Sequence, residues 1–337
     1  MTAALPKGRT RMRTRPPPTR TRRLALATAI AAALAVTAVL VLPSSASAAD
    51  TSPVGFGAGT TGGGVATAVT VSTLDAFEAA VTGDTAKVVR VNGLIALGGQ
   101  VDIGSNTTVL GVGSASGFTG GGLRLKKVTN VVVRNLNISK PLKPADGITV
   151  QASAKVWIDH NSFSSDRDHG KDYYDGLLDI NHGSDYVTVS WNTFKDHYKG
   201  SLVGHSDNNA SEDTGHLRVT YHHNWFNNVN SRIPSLRFGT GHFYDNYVVG
   251  ADTAVHSRMG AQMLVEDNVF RTTTVAVTTN RDSDVDGYAN LRGNDLGGAA
   301  TEISQVGTFI TPPYGYTAEP ASSVVASVTS GAGVGKL

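Results

Sequence analysis

The chain contains no cysteine. No disulfide can staple its fold, so stability must come from burial and backbone pairing. Charged residues are scarce at 17%, whereas glycine is frequent, at 38 of 337 residues. Such a composition describes a compact, turn-rich β protein rather than a disordered chain. Several signatures are also missing. There is no P-loop, no dinucleotide fingerprint, no zinc-ligand spacing and no Gly-x-Ser-x-Gly elbow, so the sequence offers no foothold for those chemistries.

Acidic residues are absent from the first 49 positions, which hold Lys7, Arg9, Arg11, Arg13, Arg15, Arg20, Arg22 and Arg23. Leu24 to Leu42 is apolar apart from two threonines, and Ala46-Ser47-Ala48 follows as a small-residue cleavage site. The apolar stretch is long enough for an uncleaved anchor, but the Ala-x-Ala site favours cleavage, which predicts a signal peptide over 1–48, a secreted protein, and no membrane attachment afterwards. Arg22-Arg23 is compatible with either export route. Residues 50–337 then carry 21 basic against 27 acidic residues, a net charge of −6, so the basic pI of the whole chain belongs to the leader. That balance argues against general attraction to polyanions, nucleic acid among them, and an acidic ligand would need a local basic cluster.

The remaining 288 residues suffice for a large core. Residues 50–65, rich in Gly and Thr, are expected to lie loosely against the body. Ser72-Thr73-Leu74-Asp75 predicts a capping box and a short helix to Val81 that caps one end of a β structure. From Val88 onward short apolar strands alternate with Gly and Asn, and no long helical period follows.

Six asparagines close these strands, namely Asn137, Asn161, Asn192, Asn224, Asn246 and Asn268, at intervals of 24, 31, 32, 22 and 22. A period near 22 residues without a leucine consensus predicts an all-β fold, a parallel β-helix with one coil per repeat. The asparagines would stack, bonding the coils above and below and taking a left-handed turn conformation. The two long intervals carry insertions, and excursions on a solenoid tend to form its binding face. After Ala300 the repeat fades and the tail is expected to fold back along the helix. One domain over 49–337 is expected, and a monomer.

Asp175, Asp179 and Lys199 lie in or beside the insertions. In Asp175-Gly-Leu-Leu-Asp179 the acids are four apart, so on a strand they point the same way while Leu178 and Ile180 face inward. Asp146 holds a similar strand-start position one coil earlier. Three carboxylates suit calcium better than zinc, although exposed acids are ordinary and the spacing alone leaves both readings open. Arg232 and Arg237 flank Pro234, which could bend both guanidinium groups toward one carboxylate ligand; alternatively, each covers a surface acid of its own coil. His160, His222 and His223 fall inside the repeats, where structural hydrogen bonding is expected.

Val156-Trp157-Ile158-Asp159-His160, Asp175-Gly-Leu-Leu-Asp179-Ile180 and Arg232-Ile-Pro-Ser-Leu-Arg237-Phe238-Gly239 resemble the family 1 polysaccharide lyases, the pectate lyases. The resemblance spans roughly 65–330 and implies a right-handed parallel β-helix. It implies calcium as cofactor, bound by Asp146, Asp175 and Asp179, with Lys199 and Arg237 as substrate-binding residues and Arg232 as catalytic base. The implied reaction is β-elimination in polygalacturonate, giving a 4,5-unsaturated sugar. A free guanidinium is a poor base, but cationic neighbours would favour the neutral form, and an alkaline optimum would follow. The three aspartates point to the unesterified substrate rather than to a pectin lyase. A polygalacturonase would need an Asp-Asp pair and Gly-His-Gly, and Gly204-His205-Ser206 lacks the second glycine. A non-catalytic pectin-binding β-helix is the remaining alternative.

Overall fold

The structure, a computed structural model, describes residues 51–337. The expected signal peptide lies outside the described residues. A ten-stranded parallel sheet runs in strict chain order from Ala68–Val71 through Lys87–Val91 and Thr107–Gly111 to Tyr288–Arg292. The other strands form a second set, again paired in parallel from coil to coil. This is the expected parallel β-helix. Strand alternation decides its core: in Asp185–Ser190, Val187 and Val189 are fully buried, as are Val156 and Ile158 in register one coil earlier. Phe163, Phe194 and Phe226 share another register column and stack with ring centroids 4.8 and 4.6 Å apart. Stacking like on like lets each coil bury the apolar face of the next.

The asparagine ladder is present, with two corrections. Asn161, Asn192, Asn224, Asn246 and Asn268 each donate from the amide to the side-chain oxygen of the next rung at 2.9–3.0 Å, and Asn294 ends the run. Asn137 is not a rung. The strand register pairs it with Ser162, so the place beneath Asn161 is taken by Leu136, whose N–H donates to Asn161 Oδ1 at 3.1 Å. Nor do the rungs adopt left-handed backbone. That conformation falls on the residue before each: His160, Trp191, His223, Asp245 and Asp267 have φ of 50–54°. Two of these bulky residues gain stacking there, with the Trp191 and His223 rings 4.2 Å apart.

The capping helix spans Leu74–Val81, burying Phe77 and Val81. Its N-cap is Thr73, accepting from Ala76 N, and not Ser72; Ala76 cannot return the bond, so the box is half formed. Residues 55–63 are not loose. Their N–H groups bond to outward side-chain oxygens of successive coils, those of Thr220, Thr188, Asn130 and Thr108, at 2.8–3.0 Å. Such close approach requires glycine: a Cβ on Gly63 would lie 2.1 Å from Lys87 O.

The tail returns along the helix as expected. Glu319 N bonds to Asp245 Oδ2 at 2.9 Å, and Gly335 N reaches Asn135 Oδ1 at 2.7 Å. An unanticipated helix, Ala321–Gly331, lies between them and buries Val324 and Val328 against Val269. Its Ser/Thr-rich sequence and single apolar i,i+4 pair hid it.

Candidate active site

Both insertions flank one outer face. The first, 165–177, separates strands Ser162–Ser164 and Leu178–Asn181; the second, 204–217, follows strand Ser201–Val203 and includes the short helix Ala210–Asp213. The strand register sets the geometry. Ile148 pairs with Leu178, so Thr149 sits beside Asp179, and Asp146 falls level with Gly176. Leu178 and Ile180 are fully buried, which turns Asp179 outward. Asp175 lies three residues before that strand, on the end of the insertion.

Asp146 is held at both oxygens. Oδ1 accepts from Gly176 N at 2.9 Å, and Oδ2 accepts from the Thr149 hydroxyl at 2.8 Å. Asp179 Oδ1 accepts from Leu202 N at 3.2 Å. Burial pushes Asp146 above the ordinary carboxylate range, and Asp179 adds repulsion. Burial also raises Asp179, against the opposing pull of Arg232 and Lys199. Asp175 turns instead to Lys199, with Oδ1 3.3 Å from Nζ; Asp172, also on the insertion, lies 3.4 Å from the same nitrogen. Among the described residues no three acids or histidines converge as a closed metal cluster. What is present is a close pair of buried hard-oxygen donors, with Asp175 nearby. That chemistry fits calcium, which fills its coordination with water and ligand oxygens.

Beyond the carboxylates runs a groove of about 550 Å³, lined by Lys199, Arg232, Ser235, His256, Arg258 and Arg281 among others. Its walls come from successive coils, so its long direction follows the helix axis. Arg232 has a left-handed φ of 58° and precedes strand Ser235–Arg237. Arg237 does not line this groove. It is buried, ion-paired to Asp207 of the second insertion, and donates to Gly204 O at 2.8 Å. The structure thus brings Lys199 and Arg232 to one wall and sets Arg237 behind them.

Sequence reasoning missed His197, His256, Arg258 and Arg281. His197 lies beneath Lys199, whose N–H it accepts at Nδ1 (2.9 Å), and burial lowers its pKa to about 4, keeping it neutral. Arg258 is one coil on from Arg237, in direct register. Burial and the nearby Arg237 and Arg232 lower the Arg258 pKa. Asp159 and His160 instead join a buried network on the ten-stranded sheet with Arg134 and Ser190.

The profile of the pectate lyase family matches residues 24–337. The chain belongs to the pectate lyase family. It is therefore a polysaccharide lyase. The pectate lyase A of Aspergillus niger is 49% identical over 277 residues, covering 82% of this chain and 84% of that one. Pectate lyase B of Colletotrichum gloeosporioides is 50% identical over 287 residues, covering 84% and 86%. A pectate lyase from Bacillus sp. N165, solved in complex with trigalacturonate, superposes with a TM-score of 0.79 at 34% identity, over 84% of this chain and 99% of that one. Pectate lyase II of Xanthomonas campestris gives 0.72 at 29% identity, over 84% and 98%. In this lyase Lys199 and Arg232 line the groove.

Proposed function

We propose that this pectate lyase acts on polygalacturonate by calcium-dependent β-elimination, as an exported monomer whose leader is 1–48 and whose single catalytic domain is 49–337. The observation that carries the reading is the meeting of two cations, Lys199 and Arg232, with the Asp146/Asp179 pair at one end of an axial groove. The trigalacturonate complex of the Bacillus relative supports the substrate class.

Asp146, Asp175 and Asp179 would hold calcium, which when bound supplies positive charge against the uronate carboxylate and so acidifies the adjacent C5–H. Lys199, seated on neutral His197, would bind the C6 carboxylate as a compact charge and stabilise the enolate-like density that grows there. Arg232, facing the groove with cationic neighbours, would remove the C5 proton. The electron pair then forms the C4–C5 double bond as the C4–O bond breaks, and the departing oxygen takes a proton from solvent. Arg237 would act from behind, adding positive charge and, through Asp207 and Gly204, fixing the second insertion against the groove wall.

Product analysis tests this. Polygalacturonate digests should contain oligosaccharides with an ultraviolet-absorbing unsaturated end. Saturated products with new reducing ends would mean hydrolysis, turnover of only methylated pectin without calcium would mean a pectin lyase, and binding without turnover would mean a non-catalytic protein.

A further inference from the structure

A second groove, of about 450 Å³, lies on the other side of the carboxylates, lined by residues of three successive coils that include Gly98, Gln100, Arg124, Leu142 and Lys143. The strand registers place it in line with the first. Asp102, Arg124, Thr149, Asp179, Leu202, Ser235 and His256 occupy one outward column, coil by coil. Arg124 is thus two strand spacings from Asp179, about 10 Å at ~4.8 Å per coil. A polymer laid along the axis in the first groove and continued past the carboxylates must enter the second.

Hydrogen bonds also tie the second groove to the carboxylates. Gln100 Nε2 donates to Thr149 Oγ1 at 2.7 Å, and Thr149 in turn donates to Asp146 Oδ2 at 2.8 Å. The chemistry of the second groove suits a uronate. Lys143 is exposed and pairs with no carboxylate among the described residues. Among the described residues Arg124 is held only by the exposed Asp102, a surface pair that a ligand carboxylate can replace at small cost. The exposed Leu142 offers an apolar surface beside them for the carbon face of a sugar ring. The groove is open because glycines line it: a Cβ added at Gly98 or Gly99 meets nothing within 4 Å.

We propose that this groove is a uronate-binding extension of the active site, in which Lys143 and Arg124 take the carboxylates of sugar units beyond the cleavage site and so set the preferred chain length. The inference rests on the elimination reading above. Its test is the ratio of kcat/KM for heptagalacturonate to that for tetragalacturonate, in the wild type, Lys143→Gln and Gly98→Trp. Loss of one charge-assisted contact should lower the ratio in Lys143→Gln about tenfold, mostly through KM. Gly98→Trp, which removes no charge and fills only open space, should lower it similarly. An unchanged ratio in both variants, with elimination intact, would overturn this inference alone. Absence of elimination by the wild type on either oligomer would overturn the function itself.

Discussion

Asp146 and Asp179 face each other across the α-carbon of Gly176. A Cβ on that glycine would lie 2.9 Å from Asp146 Oδ1 and 2.6 Å from Asp179 Oδ1. Gly176→Ala should therefore push the carboxylates apart and weaken calcium binding at least tenfold while leaving the buried β-helix folded. Calcium titration by calorimetry, with circular dichroism as the check on folding, reads both effects.

The same pair makes a prediction about stability. Both carboxylates are raised by burial, and the Asp179 charge adds to the cost of ionising Asp146. Asp179→Asn should raise the metal-free melting point, by about 1 kcal/mol of stability, yet abolish the further stabilisation that calcium gives the wild type. Thermal melts with calcium and with chelator distinguish the terms. A metal-free variant less stable than wild type would show that the pair is not a repulsive one.

Arg232 and Lys199 should separate kinetically. Arg232→Lys retains a positive charge but loses the reach and planarity of the guanidinium, so kcat should fall by about 10²–10⁴ with KM little altered, the signature of a lost proton-transfer group. Lys199→Ala removes a carboxylate contact and should raise KM as well as lower kcat. Steady-state kinetics on polygalacturonate at alkaline pH give the split.

The ladder is testable through Asn224. Fully buried, it donates to Val189 O and Asn246 Oδ1, both at 2.9 Å, and accepts from Asn192 N at 3.0 Å. Asn224→Ala strands several backbone groups without water and should cost about 2–4 kcal/mol, measured by chemical denaturation. Asn137→Ala, outside the ladder, should cost less than half as much.

That contrast shows how far the sequence could be read. Periodic asparagines and alternating valines disclose stacked coils because each coil repeats the same physical problem of burying its neighbour. A one-residue offset, as between Leu136 and Asn137, is invisible until strand register is known. The Asp175–Asp179 motif, Lys199 and Arg232 were legible because short motifs in sequence become neighbours one coil apart. Arg258 and His256 were not, since nothing local distinguishes them; only the strand register, which sets His256 beside Ser235, brings them to the groove. The 165–177 insertion and the Ser-rich terminal helix follow no period, so their contacts, including Asp172 at Lys199, come from tertiary packing alone.

An alkaline working range should carry a cost at Asp245. Burial pushes its pKa up to about 8, and Oδ1 has no hydrogen-bond partner among the described residues, while Oδ2 latches the returning tail through Glu319 N. The folded state holds this proton more tightly than the unfolded chain does, so stability falls as pH rises from about 4 through about 8 and levels above it. Asp245→Asn should remove this fall, gaining about 2–3 kcal/mol more at pH 9 than at pH 6 relative to wild type. Denaturation curves at pH 6 and pH 9 give the difference; an equal effect at both would contradict the assignment to Asp245.

The most direct measurement is the rate of ultraviolet absorbance increase on polygalacturonate at alkaline pH, followed as calcium is added back to chelator-treated protein. The proposed site predicts no rise without calcium, saturable recovery with it in the wild type, and a recovery displaced to much higher calcium in Asp179→Asn. Full activity in excess chelator, or identical calcium dependence in the variant, would contradict the placement of calcium at Asp146, Asp175 and Asp179.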